Sequence, residues 1–386
     1  MRSARWHIVT PELPPECGGV GDYTAQIAEG LARTGDSVAV YSPASGARWQ
    51  PAESLEVVTL SDRFGMRSMR DLSSRIEHDR RSRLLVQYVP AVFGRRGTNV
   101  AFCRWLLSRR HAGVDVRVMF HEPYLYLRWR PDHIVTAFTQ RAMAAILLDA
   151  ANHLYLSTDT WRRYLARFRP QAVQDAVTLP IPSAIPSVDA SHAVNATRQA
   201  AIGESKHLVG HFGSYGSHIA PILARTFKDL LSTEARVAVL CTGFGSDGFV
   251  KRFATEYPSF HSRLTGGGRA SAHDISVQLQ ACDVLLQPYP DGVTTRRTSA
   301  MAGLANGRAI VTTDGKLTED VWRTSRCVAL TPVDPAALSH ATRELLDDVA
   351  ARDALQSRAA STYAACFALR HTIAALRADC LQLSTG

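Results

Sequence analysis

Short apolar runs alternate with stretches of helical spacing along most of the sequence. In the first part of the chain, Ile27 and Leu31 show the helical spacing between two apolar runs. The strands predicted in this part cover residues 6–10, 37–41, 55–60, 84–89, 116–120 and 153–156. Continuous apolar strands that alternate with helices are typical of a parallel sheet covered on both faces. We therefore predict a doubly wound α/β domain.

A second alternation of the same kind follows a change in composition. Residues 179–187 (LPIPSAIPS) contain three prolines, and a polar, alanine-rich stretch continues to Lys206. We interpret residues 180–204 as a linker between domains. The strands predicted after it cover residues 207–212, 237–241, 262–264, 283–286, 308–313 and 327–330.

The pattern thus predicts an α/β protein with two doubly wound, Rossmann-like domains. Residues 1–180 form the first domain, residues 205–365 form the second, and residues 366–386 form a mainly helical C-terminal stretch. Two such domains are expected to face a central cleft at the carboxyl ends of their strands, where folds of this kind bind ligands. The chain has 386 residues, of which 46% are hydrophobic and 20% charged, so it is long enough for two cores.

The cysteines and the first residues indicate a cytoplasmic protein. The seven cysteines are scattered and form no CxxC pair, which favours buried free thiols over disulfides or a zinc site. The opening MRSARWHIVT lacks the apolar core and cleavage site of a signal peptide. No apolar run in the sequence reaches the roughly 18 residues that a membrane-spanning helix needs.

Basic residues are concentrated in the first half of the chain. The net charge is +9, arginine carries nearly all of it, and residues 63–83 are strongly basic. This stretch fits an anionic partner, such as a phosphate-bearing acceptor or an anionic membrane face that the protein would contact peripherally. The simpler interpretation is a solvated helix face. No DNA-binding helix pair is recognisable, and we expect no nucleic-acid partner.

Residues 287–307, QPYPDGVTTRRTSAMAGLANG, combine the residue types that could bind a charged sugar derivative. They are predicted to run from a strand through a tight loop into a helix that ends at Gly307. The loop places Asp291, two threonines and two arginines at the helix N-terminus, where N–H groups and the helix dipole favour an anion. A sugar joined to a diphosphate would suit this mixture. The alternative is an ordinary loop that caps a helix.

Three glycine-rich loops follow predicted strands. Residues 17–22 (CGGVGD) would let a backbone approach a ligand, and the N–H groups after them could hold an oxyanion. Residues 243–248 (GFGSDG) match a dinucleotide fingerprint, but no acid stands at the end of the next strand, which argues against NAD. Residues 265–269 (TGGGR) expose enough backbone for a flat nucleobase. Simple turns are the alternative for all three.

His121 and Glu122 follow the predicted strand at residues 116–120. Sites in doubly wound sheets are built at the carboxyl ends of strands, so this pair is the candidate for acid–base chemistry in the first domain. Its alternative is a polar pair that is satisfied within the fold. The sequence contains no serine nucleophile elbow, HExxH or Walker A motif.

The whole chain resembles the GT-B glycosyltransferases of the family-4 type, which use nucleotide-sugar donors and retain anomeric configuration. The resemblance rests on residues 8–43, on residues 118–123 (VMFHEP) and on residues 287–313. It implies that His121 faces the transferred sugar, that Asp291 holds its hydroxyl groups and that the closing helix within residues 366–386 returns to the first domain. It implies that Gly18 and Gly19 touch the diphosphate and that Gly292, Val293, Thr294 and Thr295 hold sugar or phosphate. From the other two glycine loops we expect Gly243, Gly268 and Arg269 to contact the nucleotide.

The sequence departs from the family pattern where the nucleotide would be held. Ser299 stands where the family has a glutamate that grips the ribose, and Ser214 stands where it has an arginine for the diphosphate. His218 lies near the position of a lysine with the same role. We expect Arg296 or Arg297 to take over part of the diphosphate neutralisation, and Arg296 is preferred because it is nearer to the loop.

The resemblance implies a hexosyltransferase-like enzyme of carbohydrate biosynthesis that uses a nucleotide-sugar donor and needs no cofactor or metal. Its acceptor hydroxyl could belong to a polysaccharide, a lipid-linked molecule or a small aglycone. One alternative is a non-catalytic GT-B-like subunit that binds a nucleotide or a partner protein. An NAD-dependent enzyme is a third and weaker alternative. The donor sugar, the nucleobase and the oligomeric state stay open.

Overall fold

The structure is a computed structural model that describes residues 4–14, 18–43, 49, 55–77, 82–94, 97–124 and 131–378, without the side chains of residues 131 and 132. The chain divides into two compact units. The first unit comprises Met1–Pro180 together with Leu369–Gly386, and the second unit comprises Ile181–Ala368. Each unit is built on its own parallel sheet, so the predicted α/β class with two doubly wound sheets is confirmed.

The sheet of the first unit has, in the described residues, seven parallel strands in the order β3-β2-β1-β4-β5-β6-β7. These strands are β1 (Arg5–Val9), β2 (Ser37–Ser42), β3 (Leu55–Thr59), β4 (Ser82–Tyr88), β5 (Asp115–Phe120), β6 (His153–Leu156) and β7 (Val177–Thr178). The helices between them are α1 (Gly19–Arg33), α2 (Met66–Glu77), α3 (Val100–His111), α4 (Pro131–Ala150), α5 (Thr160–Leu165) and α6 (Pro170–Gln174).

The core of the first unit lies against the central strands β4 and β5. Leu84 and Val86 of β4 and Val118 of β5 are fully buried in one cluster with Phe102 of α3 and Leu147 of α4. Burying each such side chain contributes about 1.5–3 kcal/mol, so the middle of the sheet is rigid. The carboxyl ends of these strands, where His121 follows β5, are therefore held in place.

The sheet of the second unit has, as far as the structure describes it, six parallel strands in the order β10-β9-β8-β11-β12-β13. These strands are β8 (His207–Phe212), β9 (Val237–Thr242), β10 (Leu264–Gly268), β11 (Val284–Gln287), β12 (Ala309–Thr313) and β13 (Ala329–Thr331). Its helices are α7 (Ser191–Ile202), α8 (Ala220–Thr233), α9 (Ser246–Glu256), α10 (Ala272–Ala281), α11 (Thr298–Ala305), α12 (Asp320–Ser325), α13 (Pro335–Asp347) and α14 (Val349–Thr362).

The strand order of the second unit changes direction between β8 and β11. From β8 the chain adds strands towards one edge, and from β11 it adds them towards the other edge. The ends of β8 and β11 therefore flank the topological switch point, which is where open α/β sheets bind ligands.

Two segments of the second unit differ from the sequence prediction. Residues 180–204, which we predicted to be a linker, contain helix α7, and from Ile181 onward they belong to the second unit. The strand expected at residues 262–264 starts only at Leu264 and includes three glycines, because a 3₁₀ turn occupies Pro258–Arg263. Gly266 and Gly268 pair with β9, and the register shifts between them.

A last helix, α15 (Leu369–Arg377), belongs to the first unit although it follows the second in sequence. A Cβ on Gly30 of α1 would lie 2.7 Å from Cδ1 of Ile373, so the two helices approach closely only because this position is glycine. The buried guanidinium of Arg117 donates to the carbonyl of Leu376 over 2.7 Å. A cation at the C-terminal carbonyls stabilises a helix end.

No helix within the residues that the structure describes has both the length and the apolar character required to cross a membrane.

Candidate functional site

The loop between β11 and α11 is held tightly by the segment that follows β12. The carbonyl of Asp291 accepts the N–H of Leu317 over 2.9 Å, and the N–H of Val293 donates to the carbonyl of Thr313 over 3.0 Å. Gly292 has a φ of +92°, and a Cβ there would lie 2.6 Å from the backbone nitrogen of Gly315. Only glycine fits this position, so the Gly292 of the motif is required by the fold of the loop.

The side chain of Asp291 is partly exposed and has a cationic neighbour. Its carboxylate lies 2.8 Å from Nζ of Lys316, in a pair whose side chains are 41% and 65% exposed. The sequence analysis did not find Lys316. The lysine lies 25 residues after Asp291 in a segment without a motif, and only the contact between the two loops brings it there.

Three of the four loop amides that we expected to hold a sugar or phosphate donate within the protein. The N–H of Gly292 donates to Tyr289 over 2.9 Å, that of Val293 to Thr313, and that of Thr295 to Glu319 over 2.6 Å. A ligand would have to replace or share these hydrogen bonds. The side-chain hydroxyl of Thr294 is buried and has no hydrogen-bond partner in the described part of the chain.

Glu319 fixes the end of this loop and was not identified from the sequence. Glu319 is 8% exposed, and its carboxylate accepts hydrogen bonds from the N–H and the hydroxyl of Thr295, over 2.6 and 2.8 Å. The indole of Trp322 also donates to it over 3.3 Å. The sequence around Glu319 contains no motif. Its role in fixing the loop becomes visible only in the structure, where it lies directly before α12.

Arg296 and Arg297 are half-buried at the start of α11. The guanidinium of Arg297 lies 4.7 Å from the ring centroid of Tyr289, a cation–π contact. The hydroxyl of Tyr289 lies 2.8 Å from that of Ser299. Arg297, Tyr289 and Ser299 therefore form one connected group at the N-terminus of the helix, next to the sheet's switch point.

A row of glycines lies along the ends of three neighbouring strands. Gly213 follows β8, Gly243 follows β9 and Gly268 ends β10. The N–H of Gly243 donates to the carbonyl of Gly268 over 3.1 Å, and a Cβ on Gly243 would lie 2.5 Å from the carbonyl oxygen of Gly213. The three glycines thus let the backbone ends of β8, β9 and β10 lie close together, with Gly243 itself buried. Two polar residues expected near the nucleotide, Ser214 and Arg269, are exposed beside it.

His211 lies under this row and was not singled out in the sequence. It is the penultimate residue of β8 and is 2% exposed. Its Nδ1 lies 2.8 Å from the carbonyl oxygen of Leu286, while its Nε2 has no hydrogen-bond partner among the described residues. In the sequence, the only feature that could have pointed to His211 is its place among the glycines of residues 210–216.

In the first unit, a carboxylate of the protein occupies the N-terminus of α1. Oε1 of Glu12 accepts the N–H groups of Val20 and Gly21, each over 3.1 Å. The backbone of Gly18 lies against the same carboxylate, while a Cβ on Gly19 would meet no atom within 4 Å. The glycine loop therefore does favour an oxyanion, as its sequence indicated, but that oxyanion is here Glu12.

His121 is buried and oriented by its neighbours in the first unit. Its Nε2 lies 2.7 Å from Oε1 of Gln87 on the adjacent strand β4, which requires a proton on Nε2 because this oxygen only accepts. The rings of His121 and Tyr23 of α1 pack edge to face, with 5.2 Å between their centroids. The indole of Trp161 donates to the His121 carbonyl over 2.9 Å. Glu122 is half-buried beside it.

The described residues hold no group of three or more His, Cys, Asp or Glu side chains arranged to bind a metal ion.

Comparisons with known proteins find similarity in structure and none in sequence. No protein-family profile and no curated protein sequence matches the chain. Sucrose-phosphate synthase from Thermosynechococcus elongatus is similar with a TM-score of 0.73 at 13% identity, over 97% of both chains. HepE from Anabaena in complex with UDP-glucose is similar with a TM-score of 0.67 at 15% identity, over 97% of this chain and 98% of that one.

A third similar structure is WaaG, a glycosyltransferase involved in lipopolysaccharide biosynthesis. Its TM-score is 0.65 at 15% identity, over 92% of this chain and 94% of that one. At such identities the similarity establishes the fold, and it confirms the GT-B fold that the sequence predicted.

Proposed function

We propose that this protein is a glycosyltransferase that transfers a sugar from a nucleotide-sugar donor to an acceptor hydroxyl with retention of configuration. The observation that carries the proposal is the group of features at the carboxyl edge of the second unit's sheet. A row of glycines at three strand ends, two arginines at a helix N-terminus and the partly exposed Asp291 meet the needs of a base, a diphosphate and a sugar. HepE, which has a similar fold, was solved with UDP-glucose bound.

The residues of this edge have separate roles in the proposed reaction. The glycine row at Gly243 and Gly268 takes the nucleobase, with Arg269 beside it. Arg296 and Arg297 neutralise the diphosphate, since guanidinium groups bind phosphate oxygens with two hydrogen bonds. Asp291 accepts hydrogen bonds from hydroxyl groups of the transferred sugar.

The chemical step exchanges one bond at the anomeric carbon for another. The bond to the diphosphate oxygen breaks, the acceptor oxygen forms the new bond, and the acceptor proton leaves with the departing phosphate. Attack from the face on which the diphosphate leaves accounts for retention. Positive groups and helix N–H groups that stabilise the leaving oxygen lower the barrier more than a base does. We assign His121 to contact with the transferred sugar.

We further propose a cytoplasmic protein that contacts an anionic surface through α2. Its acceptor is a polysaccharide, a lipid-linked molecule or a small aglycone. WaaG, which shares the fold, acts in lipopolysaccharide biosynthesis. Helix α2 carries Arg67, Arg70 and Arg75, and Met66 at its start is 63% exposed. Such a mixture of arginine and exposed apolar side chains is typical of peripheral membrane contacts.

A second candidate function is supported by Glu12 and by the occupied amides of the Asp291 loop. Both observations fit a non-catalytic subunit that binds a nucleotide or a partner protein without turnover. In such a subunit the amides of the Asp291 loop would donate hydrogen bonds only within the protein and none to a phosphate.

A panel of donors and nucleotides separates the two candidates. Thermal unfolding is measured with UDP, GDP, ADP and dTDP, since a ligand that binds only the folded state raises the midpoint. The corresponding glucose donors are then tested for hydrolysis and transfer, with the product anomer read by NMR. Binding with turnover to a retained anomer is expected. Binding without turnover for every donor supports the non-catalytic subunit, and the absence of any binding overturns both.

A further inference from the structure

A groove runs along the edge of the second unit's sheet, at strand β13. In the part of the chain that the structure describes, β13 is the last strand on this side of the sheet. The groove has a volume of about 430 Å³, and its walls come from α12, α13 and α14. Ala329 and Leu330 both line it, although Leu330 packs against the core on one face of the sheet and Ala329 against the core on the other. The edge of the sheet is therefore the floor of the groove.

The strand pairing turns the backbone groups of one residue towards this groove. The N–H of Asp314 donates to the carbonyl of Thr331 over 2.7 Å. Thr312 lies opposite Leu330 in the parallel ladder between β12 and β13. In such a ladder, alternate residues point both N–H and C=O to a given neighbour, so Thr331 faces β12 and Leu330 faces away. An open edge of this kind can pair with another extended chain.

The charges on the groove are positive. The described residues that line it are arginines and apolar residues, with no acid among them. Arg323 is paired with Asp314, whereas Arg326 and Arg358 are exposed and form no ion pair within the described chain. Nε of Arg358 donates to the carbonyl of Arg326 over 3.1 Å, so the two residues are neighbours. Two such arginines beside an apolar floor complement acidic groups that stand next to apolar side chains.

Arg326 stands at a backbone position that favours glycine. It ends α12 with a φ of +50° and a ψ of 32°, in the left-handed region. This conformation costs free energy for a residue with a Cβ, and helices most often end there in glycine. The Arg326 side chain makes no hydrogen bond within the described residues that would offset the cost. An anionic partner would give the arginine a role that glycine cannot fill.

We propose that the groove at β13 binds an extended acidic segment of a partner protein. The backbone of the segment pairs with the N–H and C=O of Leu330, its apolar side chains enter the groove, and its acidic side chains contact Arg326 and Arg358. A fatty acid would match the charge and the apolar lining, but it has no N–H for the carbonyl of Leu330. The inference is independent of the proposed sugar transfer.

Two peptides serve as probes, one for each direction of the added strand. They are Glu-Glu-Leu-Val-Leu and Leu-Val-Leu-Glu-Glu, acetylated and amidated so that only the side chains carry charge. Their affinity for the full chain is measured by calorimetry. One of the two should bind about tenfold more tightly than its counterpart with lysine in place of glutamate, since two ion pairs are at stake. Raising the NaCl concentration to about 0.5 M should remove most of this preference.

N-methylated versions of the peptide that binds test the pairing with Leu330. Methyl groups on alternate residues remove the N–H groups along one side of an extended chain. One of the two alternate patterns should abolish binding, because the carbonyl of Leu330 loses its donor. The other pattern should leave the affinity within about twofold. Equal affinities for both patterns would show that the backbone of the peptide does not pair with β13.

Substitutions of the two arginines separate binding from a structural role. Arg326→Gly and Arg358→Gln should each weaken the binding of the acidic peptide by about 3- to 5-fold. Arg326→Gly should keep or raise the midpoint of thermal unfolding, since glycine suits the left-handed backbone. A structural role of Arg326 predicts a lower midpoint instead. The matched control is Arg225→Gln, at an exposed position of α8, which should bind the peptide like the wild type.

Charge reversal gives the decisive outcome. A variant that combines Arg326→Glu with Arg358→Glu should prefer the lysine peptide, and a loss of folding cannot produce such an exchange. The proposal is wrong if the wild type binds neither glutamate peptide, or if the reversed variant keeps the preference of the wild type. Binding of dodecanoate without binding of either peptide would make the groove a fatty-acid site. Circular dichroism checks that each variant is folded.

Discussion

The carboxylate of Asp291 lies 2.8 Å from the ammonium group of Lys316. The two side chains are 41% and 65% exposed, and an ion pair this exposed contributes at most about 1 kcal/mol. The pair holds the carboxylate in one orientation, yet an incoming sugar hydroxyl can replace the ammonium group at little cost. This arrangement suits a carboxylate that must be ordered before the ligand arrives.

We expect Asp291→Asn to lower turnover by at least about tenfold and to change nucleoside diphosphate affinity less than about twofold. The amide keeps the size of the side chain and loses one strong acceptor, which is worth about 1.5–3 kcal/mol when charged. Turnover and affinity are measured on the same preparation. The matched control is Asp149→Asn, because Asp149 is 39% exposed and paired with Arg169 over 2.6 Å. Equal losses of affinity and turnover in Asp291→Asn would contradict the assignment.

Arg296→Ala should weaken nucleoside diphosphate binding by about tenfold and the nucleoside alone much less, because a charged hydrogen bond is lost. Arg297→Ala removes the cation–π contact with Tyr289 as well, so it should also lower the midpoint of thermal unfolding. Arg225→Ala, on α8, is the control for a general loss of positive charge. If neither variant distinguishes diphosphate from nucleoside, the two arginines do not neutralise the diphosphate.

His121→Asn should reduce turnover by about tenfold or more while nucleotide affinity stays within about twofold, because the residue is assigned to the sugar and not to the nucleotide. Gln87→Leu should lower turnover less, since it only releases the ring that Gln87 orients over 2.7 Å. His192→Asn, at an exposed position of α7, serves as the control. Unchanged turnover in His121→Asn would make His121 a structural residue.

Glu319→Ala should lower the free energy of unfolding by about 1–3 kcal/mol, because the N–H of Thr295 loses a buried acceptor. Glu319→Gln keeps an acceptor oxygen and should recover about half of this loss. Both are measured by urea denaturation, with Glu344→Ala on α13 as the exposed control, whose side chain is 68% exposed. Similar stability of all three variants would show that Glu319 does not fix the loop.

The stability of the second unit should fall as the pH drops from about 6.5 towards 4. Burial lowers the pKa of His211 to about 4, so the unfolded chain takes up the proton first and acid favours unfolding. Between pH 7 and 5 this costs about 2 kcal/mol. His211→Asn cannot titrate and should lose correspondingly less, while His207, whose pKa burial also lowers, acts equally in both proteins. Parallel pH profiles would contradict the lowered pKa.

Periodicity was sufficient to predict most strands, because buried parallel strands are continuous apolar runs. It failed at β10, because Gly266 and Gly268 have no apolar side chain that would mark a strand. That this segment is a strand follows from its pairing with β9. Motif residues such as Asp291 could be proposed from the sequence, but their partners could not. Lys316 and Glu319 reach the loop only through tertiary contacts between segments without any motif.

The glycine loop after β1 shows the same limit of sequence reasoning. Its residues correctly indicated N–H groups that favour an oxyanion, but not that Glu12 supplies one. The side chain comes from the preceding turn, and whether it reaches α1 depends on the path of the backbone. A ligand phosphate at this helix end would have to displace Glu12.

The position of α15 has a consequence for synthesis on the ribosome. The first unit is interrupted in sequence by the whole of the second, since it resumes at Leu369 after leaving at Pro180. At translation rates of about 5–20 residues per second, roughly 10 to 40 s pass before the closing helix emerges. During that time Gly30 and Arg117 lack the helix that packs against the first and accepts a hydrogen bond from the second. The second unit can therefore complete its folding first, and the nascent first unit is the part exposed to chaperones.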